Sequence, residues 1–132
     1  MDFTYLLQTE SLLSHFDMKV EERASGRLVM SMPVTDRVKQ PFGYLHGGAS
    51  VALSETVASM GTADLIDLDK EIGLGLEINA NHIASVRSGR VTAVGEILHQ
   101  GKSTHVWDVK VYDEQQKLLS AARCTVAVKS LR

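Results

Sequence analysis

The stretch from Gly47 to about Ile66 constrains this chain more than any other, because it has no strand alternation and almost no charge. Between His46 and Asp64 the one charged residue is Glu55; the rest is Gly, Ala, Ser and Thr with Val51, Leu53, Val57 and Met60. A helix that is apolar or small nearly all round is a buried helix, so other parts of the chain must cover it. Its small side chains let neighbouring backbone approach closely, which suits a sheet that wraps around it.

The flanking sequence can build such a sheet. Met18, Val20 and Glu22 alternate with their neighbours, and Leu28, Met30 and Met32 stand opposite Arg27, Val29 and Ser31. Ser25-Gly26 between the two runs makes a β-hairpin. Pro33 and Pro41 bracket a polar connection, Thr35 to Gln40, that is unsuited to the centre of a sheet. Beyond the helix, Leu74, Leu76, Ile78, Ala80 and His82 alternate with Gly75, Glu77, Asn79 and Asn81. The turn Ser88-Gly89 leads to Val91, Ala93, Gly95 and Ile97, and Gln100-Gly101 leads to Trp107, Val109 and Val111. The polar run Asp113 to Lys117 precedes a last strand, Leu118 to Val128. Consecutive strands joined by short turns are antiparallel neighbours. The expected fold is therefore α+β: one antiparallel sheet of about six strands, with a single buried helix inserted after the second. Ahead of it, Asp2 to Phe16 reads as helical with Leu6, Leu7, Leu12 and Leu13 as an apolar stripe, and Thr9 and Ser11 are candidate N-caps that would split it in two.

Composition narrows the function classes. A chain of 132 residues, without repeats or linkers, is expected to be a single domain over 1–132. Its 14 basic and 16 acidic residues give a net charge of −2, which argues against a nucleic-acid binder or a binder of anionic membranes. The lone Cys124 excludes an intramolecular disulfide and a multi-cysteine metal site, and the five histidines lack metal-ligand spacing, so no metal is expected. Met1 to Phe16 has no basic start followed by a long apolar run, and no stretch approaches the roughly 18 apolar residues of a membrane span. A soluble cytoplasmic protein is the expectation.

The chemistry concentrates in Gln40-Pro41-Phe42-Gly43-Tyr44-Leu45-His46-Gly47-Gly48, followed by Glu55. The glycines open the buried helix, where backbone N–H groups lack intrahelical partners and the helix dipole is positive. Such an end can stabilise the oxygen of a polarised carbonyl, and glycine removes the Cβ that would hold a substrate away. The plainer reading is a tight turn into the helix. Glu55 sits either on an exposed stripe or in a cleft, and Val51, Ala52, Ser59 and Thr62 do not look like a solvent face. An apolar cleft shifts a carboxylate toward its protonated form, which suits a general base or nucleophile. Ser59, one turn on, is spaced to hydrogen-bond Glu55 or a water beside it. Gly47 and Glu55 lie eight residues apart, about 12 Å along a helix axis, so one carbonyl cannot touch both groups of the same helix. If both act on one substrate they come from two antiparallel helices, and the active site spans a dimer interface.

Three weaker signals fall away. Gly101-Lys102-Ser103 resembles the end of a phosphate-binding loop, but Glu96 stands where the first glycine belongs and the segment joins two strands. Gly48-Ala49-Ser50-Val51-Ala52 echoes a nucleophile elbow with no strand leading into it. Cys124 in the last strand reads as buried filler.

Taken together, the Gln40-Pro-Phe-Gly-x-x-His46-Gly-Gly run with Glu55, the run Gly75-Leu-Glu-Ile-Asn-Ala-Asn-His82 and the hairpin His99-Gln-Gly-Lys-Ser-Thr104 resemble the hotdog-fold acyl-CoA thioesterases whose catalytic Glu is on the central helix. The nearest branch comprises the 1,4-dihydroxy-2-naphthoyl-CoA hydrolases of menaquinone synthesis and relatives acting on aryl-CoA esters. The resemblance implies a hotdog fold, no cofactor beyond the CoA thioester substrate, and a homodimer arranged as a dimer of dimers. It implies that Glu55 is nucleophile or general base, and that the Gly47 N–H polarises the thioester carbonyl with His46 beside it. Gln40 and Ser59 would position water or substrate. Gly75, His82, Ile83, Ala84 and Ser85, with His99, Gln100, Gly101, Lys102, Ser103 and Thr104, would line the CoA. Ala84 stands where relatives can carry Arg, which leaves Lys102, Arg87 or Arg90 to meet the phosphates. Plainer readings stand beside these: His82 as a core histidine, His99 and His105 as solvated, Arg87 and Arg90 as turn charges. The competing functions are a hotdog enoyl-CoA hydratase or dehydratase and a non-catalytic acyl-CoA-binding regulatory module; the latter would bury the Glu55 charge to no purpose.

Overall fold

The computed structural model describes residues 1–131. Its centre is α3 (Gly47–Ala63), capped at its start by His46, whose Nδ1 accepts the Gly48 N–H at 2.7 Å. The helix stops three residues short of Ile66, at Asp64, whose carboxylate is taken by Arg23 at 2.6 Å. As the small residues require, backbone and rings come close. A Cβ on Gly61 would sit 2.5 to 3.0 Å from three atoms of the Trp107 indole. Trp107 is fully buried and donates to Thr62 Oγ1 at 2.9 Å, and Thr62 lies 3.0 Å from Nδ1 of buried His105.

Six strands form the sheet: β1 (Lys19–Ala24), β2 (Arg27–Pro33), β3 (Glu71–His82), β4 (Arg90–Gln100), β5 (Thr104–Tyr112) and β6 (Leu118–Ser130). All pairings are antiparallel, in the order β1-β2-β4-β5-β6-β3, and α3 packs against β2 to β6. The hairpins β1-β2, β4-β5 and β5-β6 form where the turn residues place them. The expected β3-β4 neighbourhood does not. β3 pairs with β6 at one edge and β4 with β2, while residues 83–89 cross beneath the start of the helix. That crossing is held by backbone bonds: the N–H groups of Ile83 and Ala84 donate to the Leu119 carbonyl, Leu45 N–H to Val86 and Val34 N–H to Gly89.

Two strands depart from simple alternation. In β2 not only Leu28, Met30 and Met32 but also Val29 and Ser31 are buried. The outer side of Ser31 is covered by Glu21, which accepts its hydroxyl at 2.5 Å, and by Arg90, which donates to it at 2.9 Å. In β3 the leucines do not face the core: Leu74 is 49% and Leu76 is 65% exposed. Gly73 and Gly75 face the helix instead, and a bulge between Gly75 and Glu77 shifts the phase so that Ile78 and Ala80 pack against the core. Ahead of the sheet lie the two short helices α1 (Phe3–Gln8) and α2 (Leu12–His15). Asp2 and Ser11 cap them; Thr9 ends α1, donating its hydroxyl to the Tyr5 carbonyl at 3.1 Å. Phe3 anchors the pair in the core and Leu12 is left 48% exposed, so the four-leucine stripe is only partly an inner face.

Candidate active site

The loop entering α3 is built as a rigid support. Gln40 N–H donates to the Tyr44 carbonyl at 2.8 Å and Gly43 N–H to the Gln40 carbonyl at 2.9 Å, with Gly43 at φ 91°, where glycine is at ease. The Gln40 side-chain oxygen accepts the Phe42 N–H at 2.5 Å and the Tyr44 N–H at 3.4 Å. With that oxygen held, the amide NH2 is the part of Gln40 left to donate into the adjoining cavity. This cavity, about 220 Å³, is lined by Gln40, Tyr44, Gly47, Ser50, His82 and Ser85 among others.

At the helix start, His46 uses the Gly48 N–H, and the N–H groups of Ala49 and Ser50 return to the His46 carbonyl. Among the described residues the Gly47 N–H makes no hydrogen bond, which leaves it as the open donor of the first turn. The His82 ring lies against it: a Cβ on Gly47 would be 2.9 Å from His82 Nε2. His82 is therefore exposed at the helix start and is not a core histidine. His46, by contrast, faces a separate hollow with Phe16, Val38 and Ala49, where it serves as the helix cap. Ser50, which nothing in its own segment marks as a site residue, also borders the cavity, and its buried hydroxyl has no hydrogen-bond partner among the described residues.

Glu55 lies on the half-buried stripe Val51, Ala52, Thr56 and Ser59, whereas Thr62 belongs to the buried side. It opens into a cleft of about 400 Å³ between α2 and α3, walled by Leu12, Leu13, Ala52, Ser59 and Met60. Ser59 shares this cleft but makes no hydrogen bond to Glu55. The carboxylate occupies the space that a Cβ on Gly75 would take. Cys124 lies in the sheet below, and burial, reinforced by the charges of Glu55 and Glu77, pushes its thiol up to about 12. The thiol stays protonated at neutral pH, so Cys124 is no nucleophile.

Within one chain the expected residues thus form three groups. Gln40, Gly47, His82, Ala84 and Ser85 meet at the helix start, with Ile83 turned outward. Glu55, Ser59 and Gly75 meet one side of the helix further along. His99 to Thr104 form the β4-β5 hairpin, closed by Gly101 N–H to the Thr104 carbonyl at 2.8 Å and tied to β6 by Val128 N–H to Ser103 at 2.9 Å. Of the candidate cations, Arg90 is occupied with Ser31, and Arg87 stacks 4.0 Å over the Tyr44 ring and donates to the Phe42 carbonyl at 3.3 Å. Lys102 stands at the hairpin tip without an ion pair among the described residues. Among the described residues no His, Cys, Asp or Glu cluster is arranged to hold a metal ion, and no helix is long and apolar enough to cross a membrane.

Comparison with known proteins agrees with this architecture. The family described as the Thioesterase superfamily matches residues 42–120. A 1,4-dihydroxy-2-naphthoyl-CoA hydrolase of Listeria monocytogenes is 57% identical over 107 residues, 81% of this chain and 86% of that protein. The crystal structure of a glutamate-to-alanine variant of the hypothetical protein SAV0944 from Staphylococcus aureus superposes with a TM-score of 0.90 at 59% identity, covering 92% of this chain and all of that one. A glutamine-to-alanine variant of the thioesterase PA1618 from Pseudomonas aeruginosa gives 0.92 at 40% identity, over 98% of this chain and 92% of the other. A central helix wrapped by an antiparallel sheet, its open N–H at one end and a lone carboxylate on its flank, is the hotdog arrangement, and the chain belongs to the thioesterase superfamily as an acyl-CoA thioester hydrolase.

Proposed function

We propose that this chain is a single cytoplasmic hotdog domain that hydrolyses aryl-CoA thioesters, 1,4-dihydroxy-2-naphthoyl-CoA among them, to the free acid and CoA. The observation that carries the reading is Glu55: a lone carboxylate on an otherwise uncharged helix, half-buried in a mostly apolar cleft, with no hydrogen-bonding partner among the described residues. The apolar walls supplied by Leu12, Leu13 and Met60 suit a flat aromatic acyl group, and the Listeria relative is named as a hydrolase of 1,4-dihydroxy-2-naphthoyl-CoA, whose acyl group is of that shape.

In this reading the thioester carbonyl oxygen accepts the Gly47 N–H, whose alignment with the helix dipole stabilises the oxyanion as the tetrahedral centre forms. The Gln40 amide NH2 adds a second donor or holds the water. Glu55 then acts in one of two ways. As nucleophile it bonds to the carbonyl carbon and expels CoA thiolate, leaving an anhydride that water cleaves. As general base it takes a proton from water while the water oxygen attacks the carbonyl carbon, and collapse of the tetrahedral centre breaks the C–S bond and expels CoA thiolate. Gly47 and Glu55 are about 12 Å apart along one helix, so the reacting centre draws Gly47 from one protomer and Glu55 from its partner. The half-buried stripe around Glu55 and the free edge of β3 are the surfaces such a homodimer would cover, with a dimer of dimers as the larger assembly. His82 to Ser85 and His99 to Thr104 would line the CoA, with Lys102, which has no ion pair among the described residues, as the cation for its phosphates, Arg87 being engaged by Tyr44 and Phe42.

Glu55→Gln tests the assignment. Thiol release from benzoyl-CoA should fall by roughly 10²- to 10⁴-fold while the melting temperature is retained. Near-normal turnover would end the proposal, and hydration of an enoyl-CoA without thiol release would replace it with the hydratase reading.

A further inference from the structure

We infer that Gly75 is a positioning residue for the Glu55 carboxylate, and that the room left by its missing side chain sets where that carboxylate can stand. The inference rests on the assignment of Glu55 proposed above. β3 runs antiparallel to α3, with Gly73 against Thr62, Gly75 against Glu55 and His82 against Gly47. A Cβ on Gly75 would lie 2.9 Å from Cδ and 3.2 Å from Cγ of Glu55, and would overlap Oε2 outright. The carboxyl group therefore rests on bare strand backbone. Among the described residues no hydrogen bond or ion pair holds it, so in this protomer its position is defined by packing.

The bulge that follows serves the same placement. Simple alternation would bring Glu77 onto the helix side next after Gly75. The bulge instead pairs Glu77 with Thr125 on the outer face, where Asn79 donates to its carboxylate at 3.1 Å, and puts Ile78 opposite Cys124 on the inner face. A second negative charge is thereby turned away from Glu55, and an apolar wall takes its place. Glycine and bulge together account for a strand whose leucines face outward, a pattern that core packing alone would not produce.

Gly75→Ala tests this. An ordinary carbon contact needs about 3.5 to 4 Å, so the carboxylate must retreat by at least about 1 Å, its nearer oxygen by more. A displacement of that size at a reacting group costs about 10²-fold. The expected result is a kcat for benzoyl-CoA lowered about 100-fold, with KM changed little. Glu55→Asp, one methylene shorter, clears the new methyl, so Gly75→Ala combined with Glu55→Asp should be about as active as Glu55→Asp alone. A raised KM with kcat unchanged would mean that Gly75 only makes room for CoA, and would overturn the inference. So would fully multiplicative losses in the double variant. If Gly75→Ala does not fold, adding Glu55→Ala removes the colliding group and should restore the folded protein; failure to restore it also refutes the inference. The two readings separate cleanly. An active Glu55→Gln defeats the catalytic assignment, whereas an inactive Glu55→Gln beside a Gly75→Ala of normal kcat defeats this inference alone.

Discussion

The separation between Gly47 and Glu55 predicts a specific pattern of complementation between inactive variants. Glu55→Ala removes the carboxylate and leaves the helix start intact. Gln40→Ala removes the oxygen that accepts the Phe42 and Tyr44 N–H groups, loosening the loop that delivers Gly47, and leaves Glu55 intact. In a symmetric dimer whose sites each take Glu55 from one protomer and the helix start from the other, a mixed dimer has one site with both defects and one with neither. Unfolding and refolding an equal mixture makes about half of the dimers mixed, each with one intact site of two, so activity should recover to about a quarter of the wild-type value. If both groups came from one chain, no mixed dimer would contain an intact site. The assay is thiol release from benzoyl-CoA by the refolded mixture, with each variant refolded alone as the baseline. Recovery no greater than the mean of the two baselines, with mixed dimers demonstrated by differently tagged chains, would refute the argument from helix geometry.

Two further outcomes concern the packing that holds the helix in place. Gly61→Ala gains up to about 1 kcal/mol of helix propensity, but its Cβ meets an indole pinned by Thr62, and overpacking of that kind costs about 1–3 kcal/mol. The melting temperature should fall by several degrees at fixed protein concentration and recover in part when Trp107→Phe is added; a more stable Gly61→Ala would show that the ring yields freely. Burial lowers the pKa of His105 against the opposing pull of Glu71, so below the ordinary value near 6.5 the unfolded chain takes up a proton that the native state resists. This contribution is intact above that pH and is lost as pH falls, at up to about 1.4 kcal/mol per unit. Denaturant titrations at pH 7.5 and 5.5 should show a larger loss for wild type than for His105→Gln, and equal losses would refute it.

The local structure was largely legible because it is written in local signals. Turn residues place three hairpins, and the run of small side chains marks α3 before any partner is known. The order of strands was not. A short connection from β3 to β4 predicts neighbours, yet residues 83–89 spend their backbone hydrogen bonds on Leu119, Leu45 and Val34, on both sides of the helix start. What decides is that one helix must be covered by five strands of a single sheet, a global demand that no window of sequence contains. The same demand buries both faces of β2, where alternation predicted one.

At the site, legibility followed from whether a residue is an exception in its own segment. Glu55 is the one charge on its helix, and Gly47 stands at a helix start, so each is visible alone. Gly75 is not: one glycine among Leu74, Leu76 and Ile78 reads as a weak point in a strand until Glu55 is seen lying on it. The bulge at that point makes the case harder, since it sends the leucines outward and lets alternation assign the wrong face to the whole first half of β3. A missing side chain has meaning only through the neighbour that occupies its space, and that neighbour is twenty residues away in sequence. The chemistry of this chain is therefore declared by its charged and open groups, while the accuracy of their placement depends on positions where the sequence is least conspicuous.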